Sequence, residues 1–195
     1  MSTAWAFGFR NLIIPGSYTG LSGMPFAEAR DTGCQKLLEL GWDAVMMLDD
    51  DVIPPPDAII KLMAHKQPIV SGVYYRRNNP ITPVMLKNQP GGGRQWVTEY
   101  KIPDLMEVDY VGAGCLLISR DVLTSLPPIS KNNRWFEWRV HRPDLPPEER
   151  MSEDFSFCQH AKNNGYKILV DTSVQCKHCG LSQCNSAGMQ PLELM

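Results

Sequence analysis

Three consecutive aspartates, Asp49, Asp50 and Asp51, directly follow an apolar run from Ala44 to Leu48. Such a run is short enough for a buried strand, which would place the carboxylates at the carboxyl edge of a sheet. Open α/β sheets bind their ligands at that edge. Because neighbouring aspartates repel one another, a cation is expected among them, and carboxylate oxygens suit Mg²⁺ and Mn²⁺. A solvated acidic turn explains the triplet equally well.

The bulk composition is that of an ordinary globular protein. The chain has 195 residues, 43% hydrophobic and 21% charged, enough for one domain with its own core. A net charge of -2 gives no overall basic field for nucleic acid, although a local patch around Arg76, Arg77 and Arg94, or along residues 134–142, remains open. The opening residues do not resemble a secretory signal, and no stretch reaches the roughly 18 apolar residues that span a bilayer. We therefore expect a cytoplasmic protein without a membrane span, its cysteines reduced.

Apolar periodicity and turn residues predict alternating helices and strands within one domain. Helices are predicted over residues 25–40, 120–126 and 153–164, and another starts at 54–57 and buries Ile59, Ile60, Leu62 and Met63. Strands are predicted over residues 43–48, 68–73, 83–86, 95–100, 106–111, 115–119 and 166–170, with a further short strand within 5–9 or 12–14. Residues 127–151 form the longest irregular segment, and such segments are often functional.

The chain contains five short motifs: Ala29-Arg30-Asp31, Leu48 to Asp57, Ile69 to Tyr74, Val111 to Arg120, and Trp135-Phe136 with Ser152 to Cys158. Together they resemble the motifs of GT-A glycosyltransferases of the family 2 type. Each motif is weak by itself, and their order makes the resemblance specific. The family implies an α/β fold, a single Rossmann-like GT-A domain with a mixed sheet across residues 1–195. The part before the first motif normally helps to build the nucleobase pocket, and here we expect it to be shortened.

The resemblance implies transfer of a sugar from a nucleotide-diphosphate sugar, with a UDP-sugar as the expected donor, to an acceptor hydroxyl. The family uses Mn²⁺ or Mg²⁺ as a Lewis acid that neutralises charge on the departing diphosphate. In this sequence Asp51 would bind the metal directly, Asp49 would contact the ribose or the metal through water, and His178 would be the third protein ligand. The further donor-side residues are Arg30, Asp50 and Arg77.

The acidic pair Glu153 and Asp154 opens a predicted helix. The resemblance makes Asp154 the base that takes the proton of the acceptor hydroxyl, and it favours inversion at the sugar carbon. Glu153 would touch the donor sugar or the acceptor. Acids in a first helical turn are also favoured by the helix dipole alone, by about 0.3–1 kcal/mol, so the pair without its surrounding motif would indicate only a helix start.

Two glycines and two tryptophans are assigned to the acceptor side: Gly112, Gly114, Trp135 and Trp138. Glycine lets a substrate approach the backbone closely, but a β-bulge uses glycine as well. The faces of tryptophan suit a sugar or a base, yet either tryptophan could instead fix the loop to the core. The acceptor stays open among saccharide, lipid, protein and modified nucleobase.

Two other classes of protein fit parts of the sequence. A phosphohydrolase of the haloacid dehalogenase type also carries Asp-x-Asp after an apolar strand, with Asp49 then as the nucleophile, although that motif should come nearer the start of the fold. A non-catalytic binding module, degenerate or stabilised by zinc, is the other alternative. Its zinc ligands would come from Cys176, Cys179 and Cys184, although His178 between the first two makes joint tetrahedral ligation tight.

Overall fold

The computed structural model describes residues 3–78, 80–179, 182–185 and 188–191. Its central sheet consists of β1 (Ala44–Leu48), β3 (Ile69–Val73), β6 (Leu105–Val108), β8 (Cys115–Ser119) and β9 (Ile168–Gln175). The strand order is β1-β8-β3-β9-β6. β3 and β9 are parallel, and every other neighbouring pair is antiparallel. The predicted α/β class with a mixed sheet is therefore confirmed.

β1, β3 and β9 run in the same direction, because β1 and β3 both pair antiparallel with β8. Their carboxyl ends therefore meet at one edge of the sheet, beside the residues that lead into β8. Asp49, Tyr74 and Cys176 leave the three strands there, and Gly114 precedes β8 at the same place. We call this place the carboxyl edge.

Helices cover both faces of the central sheet. They are α1 (Thr3–Arg10), α2 (Phe26–Leu40), α3 (Ala58–Ala64), α4 (Arg120–Ser125) and α5 (Glu153–Asn163), with a 3₁₀ turn at Pro147–Glu149. α2, α4 and α5 pack in one core with Leu116 and Ile118 of β8, whereas α1 and α3 pack in the other with Cys115 and Leu117. This alternation is the period of two that a strand imposes. No helix in the described ranges is long and apolar enough to cross a membrane.

Two small sheets flank the central one. The first joins β4 (Met85–Asn88), β5 (Arg94–Trp96) and β7 (Tyr110–Val111) in the order β5-β4-β7 and contains the predicted hairpin around residues 91–93. The second joins β2 (Val52–Ile53), β10 (Lys177–His178), β11 (Ser182–Asn185) and β12 (Gly188–Pro191) in the order β12-β11-β10-β2. In this second sheet His178 lies opposite Val52, so the residues that follow β9 lie next to the three aspartates.

A short strand was expected within residues 5–9 or 12–14, but α1 covers the first range and the second contains no strand, so that expectation is wrong. Gly8 allows α1 to lie close to β2, because an ideal Cβ at this position would be 2.4 Å from Cγ2 of Ile53. Contact with the rest of the fold therefore overrides the strand preference of the aromatic residues in this segment.

The helix α2 matches its prediction, and it ends at Gly41 with a left-handed φ of 74°. Two other elements differ in burial. α3 buries Ile59 and Leu62, but Ile60 and Met63 are 43% and 42% exposed, because this short helix presents one face to the sheet. β1 lies at the edge of the sheet, so the expected fully buried strand is a half-buried one.

The long segment 127–151 is held to the protein by polar contacts. The carboxylate of Asp31 accepts the backbone N–H groups of residues 134–136 at 2.8 to 3.1 Å. Glu137 is buried and accepts hydrogen bonds from the guanidinium groups of Arg139 and Arg142 at 2.7 and 3.2 Å. These contacts fix the segment against α2 and lead the chain directly into α5.

Candidate functional site

The carboxyl edge brings together Asp51 and His178, two of the predicted metal ligands. His178 Nε2 lies 3.2 Å from Asp51 Oδ2. The pairing of β10 with β2 holds the two residues in register, and the backbone N–H of Cys179 donates to the carbonyl of Asp51 at 2.6 Å. The contact therefore depends on the second small sheet rather than on flexible side chains alone.

The imidazole of His178 is oriented by the chain that leaves β3. Its Nδ1 lies 2.6 Å from the carbonyl oxygen of Tyr75, and because a carbonyl can only accept, Nδ1 carries a proton. In the neutral ring, Nε2 then presents a lone pair to the carboxylate of Asp51. Two acceptors this close need a cation or a second ring proton between them. Histidines that bind metals are commonly oriented in this way, through a hydrogen bond from the other ring nitrogen.

Arg77 faces the same carboxylate from the loop after β3. Its Nη1 lies 3.2 Å from Asp51 Oδ2 and donates to the carbonyl of Cys179 at 2.7 Å. Burial alone would raise the pKa of Asp51, but the hydrogen bond and charge of His178 and the charge of Arg77 outweigh it and hold this pKa below its ordinary value. The Arg77 side chain is 45% exposed, so it can turn towards an anionic ligand in the solvent.

Asp49 is paired with Arg30 of α2. Nη2 of Arg30 lies 2.5 Å from Asp49 Oδ1, and the Arg30 side chain is only 11% exposed. Burial alone would lower the pKa of Arg30, but the charges of Asp49 and Glu153 and the hydrogen bond to Asp49 raise it, so the guanidinium stays charged. Nε of Arg30 is buried and has no hydrogen-bond partner in the described part of the chain. The positive charge of Arg30 thus stabilises the charged forms of both Asp49 and Glu153.

Glu153 and Asp154 lie in the first turn of α5, where the positive charge of Arg30 acts to lower both of their pKa values. Burial, reinforced by the charge of Asp154, raises the pKa of Glu153 to about 7. Burial also raises the pKa of Asp154, against hydrogen bonds from the Ser152 hydroxyl and the Phe155 N–H. A carboxylate with a pKa of about 7, such as Glu153, holds and releases a proton near neutral pH, and a raised pKa also makes Asp154 a stronger base than an ordinary aspartate.

Tyr74 is a central residue that the sequence did not single out. Its buried hydroxyl accepts the backbone N–H of Gly114 at 3.3 Å, and its ring meets that of His178 edge to face at 5.6 Å. Burial and the charges of Asp154 and Asp49 raise its pKa. The position directly after β3 was the only available signal, because that position puts a side chain at the carboxyl edge.

The two predicted acceptor-side glycines make room for this tyrosine. An ideal Cβ would lie 1.7 Å from the Tyr74 hydroxyl at Gly112 and 3.0 Å from the ring at Gly114. The same Cβ at Gly114 would lie 3.1 Å from Asp49 Oδ2. In this structure the space beside Gly112 is therefore filled by Tyr74, and Gly114 brings the backbone close to Asp49.

The remaining predicted residues are Asp50, Trp135 and Trp138. Asp50 is exposed on the turn that follows β1. Trp135 is 1% exposed and its indole N–H donates to the carbonyl of Leu123 at 3.0 Å, which corrects the expectation that its face stacks on an acceptor. It fixes the segment 127–151 to the core instead. Trp138, in the same segment, is 45% exposed and keeps a face towards solvent.

The described residues contain no group of three His, Cys, Asp or Glu side chains that converges on a common metal position. Asp51 and His178 meet, whereas Asp49 is held by Arg30. Of the cysteines considered for zinc, Cys176 is buried and hydrogen-bonded to the thiol of Cys115, and Cys179 is also buried. The side chain of Cys184 lies outside the described residues.

Comparison with known proteins bears on the fold. No protein-family model matches the sequence, and no curated protein matches it either. Among solved structures, the chain is similar to the crystal structure of A197 from STIV, with a TM-score of 0.61 and 18% sequence identity over 89% of this chain and 78% of that chain. A likeness at this identity carries no function from one protein to the other. The chain therefore shares an overall fold with A197 from STIV.

Proposed function

We propose that this protein is a metal-dependent glycosyltransferase that moves a sugar from a nucleotide-diphosphate sugar, with a UDP-sugar as the expected donor, to an acceptor hydroxyl. The observation that carries the proposal is the contact between Asp51 and His178 at the carboxyl edge, with Nδ1 of the imidazole tied to Tyr75 and Nε2 turned towards the carboxylate. An acidic pair, Glu153 and Asp154, lies at the start of α5 beside the same edge. The cytoplasm is the proposed setting, because Cys34, Cys115, Cys158 and Cys176 are free thiols.

The donor atoms present fit Mn²⁺ or Mg²⁺. Asp51 Oδ2 and His178 Nε2 would hold the ion, and two protein ligands suffice for a cation that takes the rest of its shell from substrate phosphates and water. Imidazole is a less favoured ligand for Mn²⁺ than carboxylate, but it is acceptable. Such an ion, when bound, neutralises charge that develops on the diphosphate leaving group.

Two arginines would organise the donor side. Arg77 is half exposed next to Asp51 and would turn from that carboxylate to the diphosphate, as guanidinium groups pair well with phosphate oxygens. Arg30 holds Asp49 at the carboxyl edge, and Asp49 would contact the ribose of the donor or the metal through water. The exposed Asp50 would contribute charge at the mouth of this site.

Asp154 would take the proton from the acceptor hydroxyl as the new bond forms. Its raised pKa makes its carboxylate a stronger base than an ordinary aspartate. Asp154 is also more accessible than Glu153, which is 5% exposed. Attack by an oxygen held at Asp154, opposite the departing diphosphate, leads to inversion at the sugar carbon.

Ligand-dependent thermal stability tests this proposal. The melting temperature would be measured with a panel of nucleoside diphosphates and nucleotide sugars, with and without Mn²⁺. A ligand at a hundred times its Kd stabilises the native state by about 2.7 kcal/mol, so we expect a Mn²⁺-dependent rise with one nucleotide. Asp51→Ala and His178→Ala should lose the rise, whereas Asp57→Ala, at a surface aspartate paired with Lys61, should keep it.

The absence of any rise, in a wild-type protein that melts cooperatively, would overturn donor binding. A second assay addresses the phosphohydrolase alternative, in which Asp49 is the nucleophile. Release of phosphate from p-nitrophenyl phosphate, abolished in Asp49→Asn while the Mn²⁺-dependent stabilisation survives, would replace the glycosyltransferase proposal with that alternative.

A further inference from the structure

A patch of aromatic and basic side chains lies beside the proposed base. The first small sheet, of β4, β5 and β7, places Arg94, Trp96 and Tyr110 on one face. Trp96 and Tyr110 both lie opposite Leu86 of β4, and Arg94 is two residues before Trp96 in β5. Phe155 of α5 packs on this face, with ring centroids 6.4 Å from Trp96 and 5.7 Å from Tyr110. Trp96 and Phe155 are both half-buried, so each retains surface that a ligand can contact.

Two guanidinium groups complete this patch. Arg76 lies 4.6 Å from the ring centroid of Trp96, and Arg94 lies 4.9 Å from that of Tyr110. Arg94 also donates to the carbonyl of Glu148. Among the described residues, no carboxylate forms an ion pair with either guanidinium, in contrast to the paired Arg139 and Arg142. The patch therefore holds two positive charges that a ligand can neutralise.

The chain connects this patch to both halves of the proposed active site. Arg76 directly precedes Arg77, which contacts Asp51. Phe155 directly follows Asp154 and donates its backbone N–H to that carboxylate at 2.8 Å. A molecule bound on the patch would therefore lie next to the proposed base, where an acceptor has to lie.

We propose that the patch of Arg76, Arg94, Trp96 and Phe155 binds the acceptor, and that the acceptor is a sugar bearing an anionic group, either a carboxylate or a phosphate. A sugar ring presents C–H groups that pack on aromatic faces, and guanidinium groups pair with carboxylate and phosphate oxygens. This inference rests on the proposed glycosyl transfer for its biological meaning, but the binding that it predicts needs neither nucleotide nor metal.

Calorimetric titration tests this binding with four probes: glucose, glucuronic acid, glucose 6-phosphate and inorganic phosphate. We expect at least one of the two charged sugars to bind at least tenfold more tightly than glucose and inorganic phosphate. The charged sugar that binds more tightly distinguishes a carboxylate from a phosphate acceptor. Equal affinity for glucose and the charged sugars, or no saccharide binding to a folded protein, would overturn the inference.

Substitutions measure separately what the arginines and the aromatic side chain contribute to binding. Arg76→Gln with Arg94→Gln should reduce the affinity for the charged sugar to that for glucose, and Trp96→Ala should weaken binding of both sugars. Arg134→Gln is the matched control, because Arg134 also stacks on a tryptophan, 4.6 Å from the ring centroid of Trp135, in another part of the molecule. An equal loss in this control would contradict the assignment. Melting curves for each variant establish that it is folded.

These experiments can reject either proposal independently of the other. A Mn²⁺-dependent nucleotide effect without any saccharide binding would keep the glycosyltransferase proposal and reject the acceptor patch. Binding of a charged sugar without any nucleotide effect would keep the patch as a saccharide site and reject the transfer reaction.

Discussion

Tyr74 links the predicted parts of the site at the scale of single residues. Its ring fills the space that Gly112 and Gly114 leave open, and its hydroxyl is close to the carboxylates of Asp49 and Asp154. A glycine pair that sequence patterns assign to substrate binding is therefore also a packing requirement. Substitutions at these glycines can separate the two roles.

Gly112→Ala should destabilise the protein. Its Cβ would lie 1.7 Å from the Tyr74 hydroxyl and 2.9 Å from Val84 Cγ1, and such overpacking typically costs about 1–3 kcal/mol. Because the shortest contact is to the hydroxyl, the double variant with Tyr74→Phe should recover part of the loss. The free energy of unfolding in urea measures both effects.

Gly20→Ala is the control for this substitution, because an ideal Cβ at Gly20 meets no atom within 4 Å. We expect this variant to unfold within about 0.5 kcal/mol of the wild type. If Gly112→Ala were equally harmless, Tyr74 would not occupy the position described here.

At the scale of elements, a side-chain hydrogen bond joins the end of α3 to β9. Nε2 of His65, at the end of α3, lies 2.8 Å from Asp171 Oδ2. The other oxygen of Asp171 accepts the backbone N–H and the hydroxyl of Ser173 at 2.8 and 2.7 Å. The carboxylate is buried, so these partners are what make its charge tolerable within the fold.

The stability that Asp171 contributes should depend on pH. Burial alone would raise the pKa of Asp171, but the hydrogen bonds from His65 and Ser173 outweigh it, and the pKa in the folded state lies below the ordinary value of about 3.9. The stabilisation that the Asp171 carboxylate contributes is therefore fully present when the pH is above that ordinary pKa. It is lost as the pH falls through the pKa of the folded state. Urea unfolding of the wild type and Asp171→Asn from pH 7 to pH 2 measures the difference.

We expect the wild type to be the more stable of the two above about pH 4, with the difference shrinking at lower pH. Asp57→Asn, which removes an exposed pair with Lys61, should change stability by less than about 1 kcal/mol. A difference between wild type and Asp171→Asn that did not vary with pH would show that the charge of Asp171 is not stabilising.

At the scale of the whole molecule, the two cores enclose four buried cysteines: Cys34, Cys115, Cys158 and Cys176. Burial raises the pKa of Cys34 and Cys158, and a hydrogen bond from the Cys176 thiol to Cys115, together with burial, raises that of Cys176. Since the thiolate is the reactive form, these thiols should be inert in the folded protein.

Reaction with Ellman's reagent measures this protection. In the native protein these four thiols should react at least a hundredfold more slowly than in guanidinium chloride. Rapid reaction of several thiols under native conditions would mean that the cores open readily.

Several elements follow from the local sequence. Four elements lie where they were predicted. They are the strand before Asp49, the helix that ends at Gly41, the hairpin around residues 91–93 and the acidic start of α5. Such features depend on side-chain period and on the capping or turn residues a few positions away. The resemblance to GT-A glycosyltransferases also implied that Asp51 and His178 belong to one site.

Other features were decided by the tertiary structure. β10 joins β2, so His178 reaches Asp51 and its ring is held by the carbonyl of Tyr75. Arg30 holds Asp49, and Trp135 is buried. These contacts join residues that are far apart in the chain, and they depend on strand order, register and the packing of α2 against the sheet. The sequence by itself determined which groups are present and where most elements begin, whereas their distances, burial and charge partners exist only once the sheet has assembled.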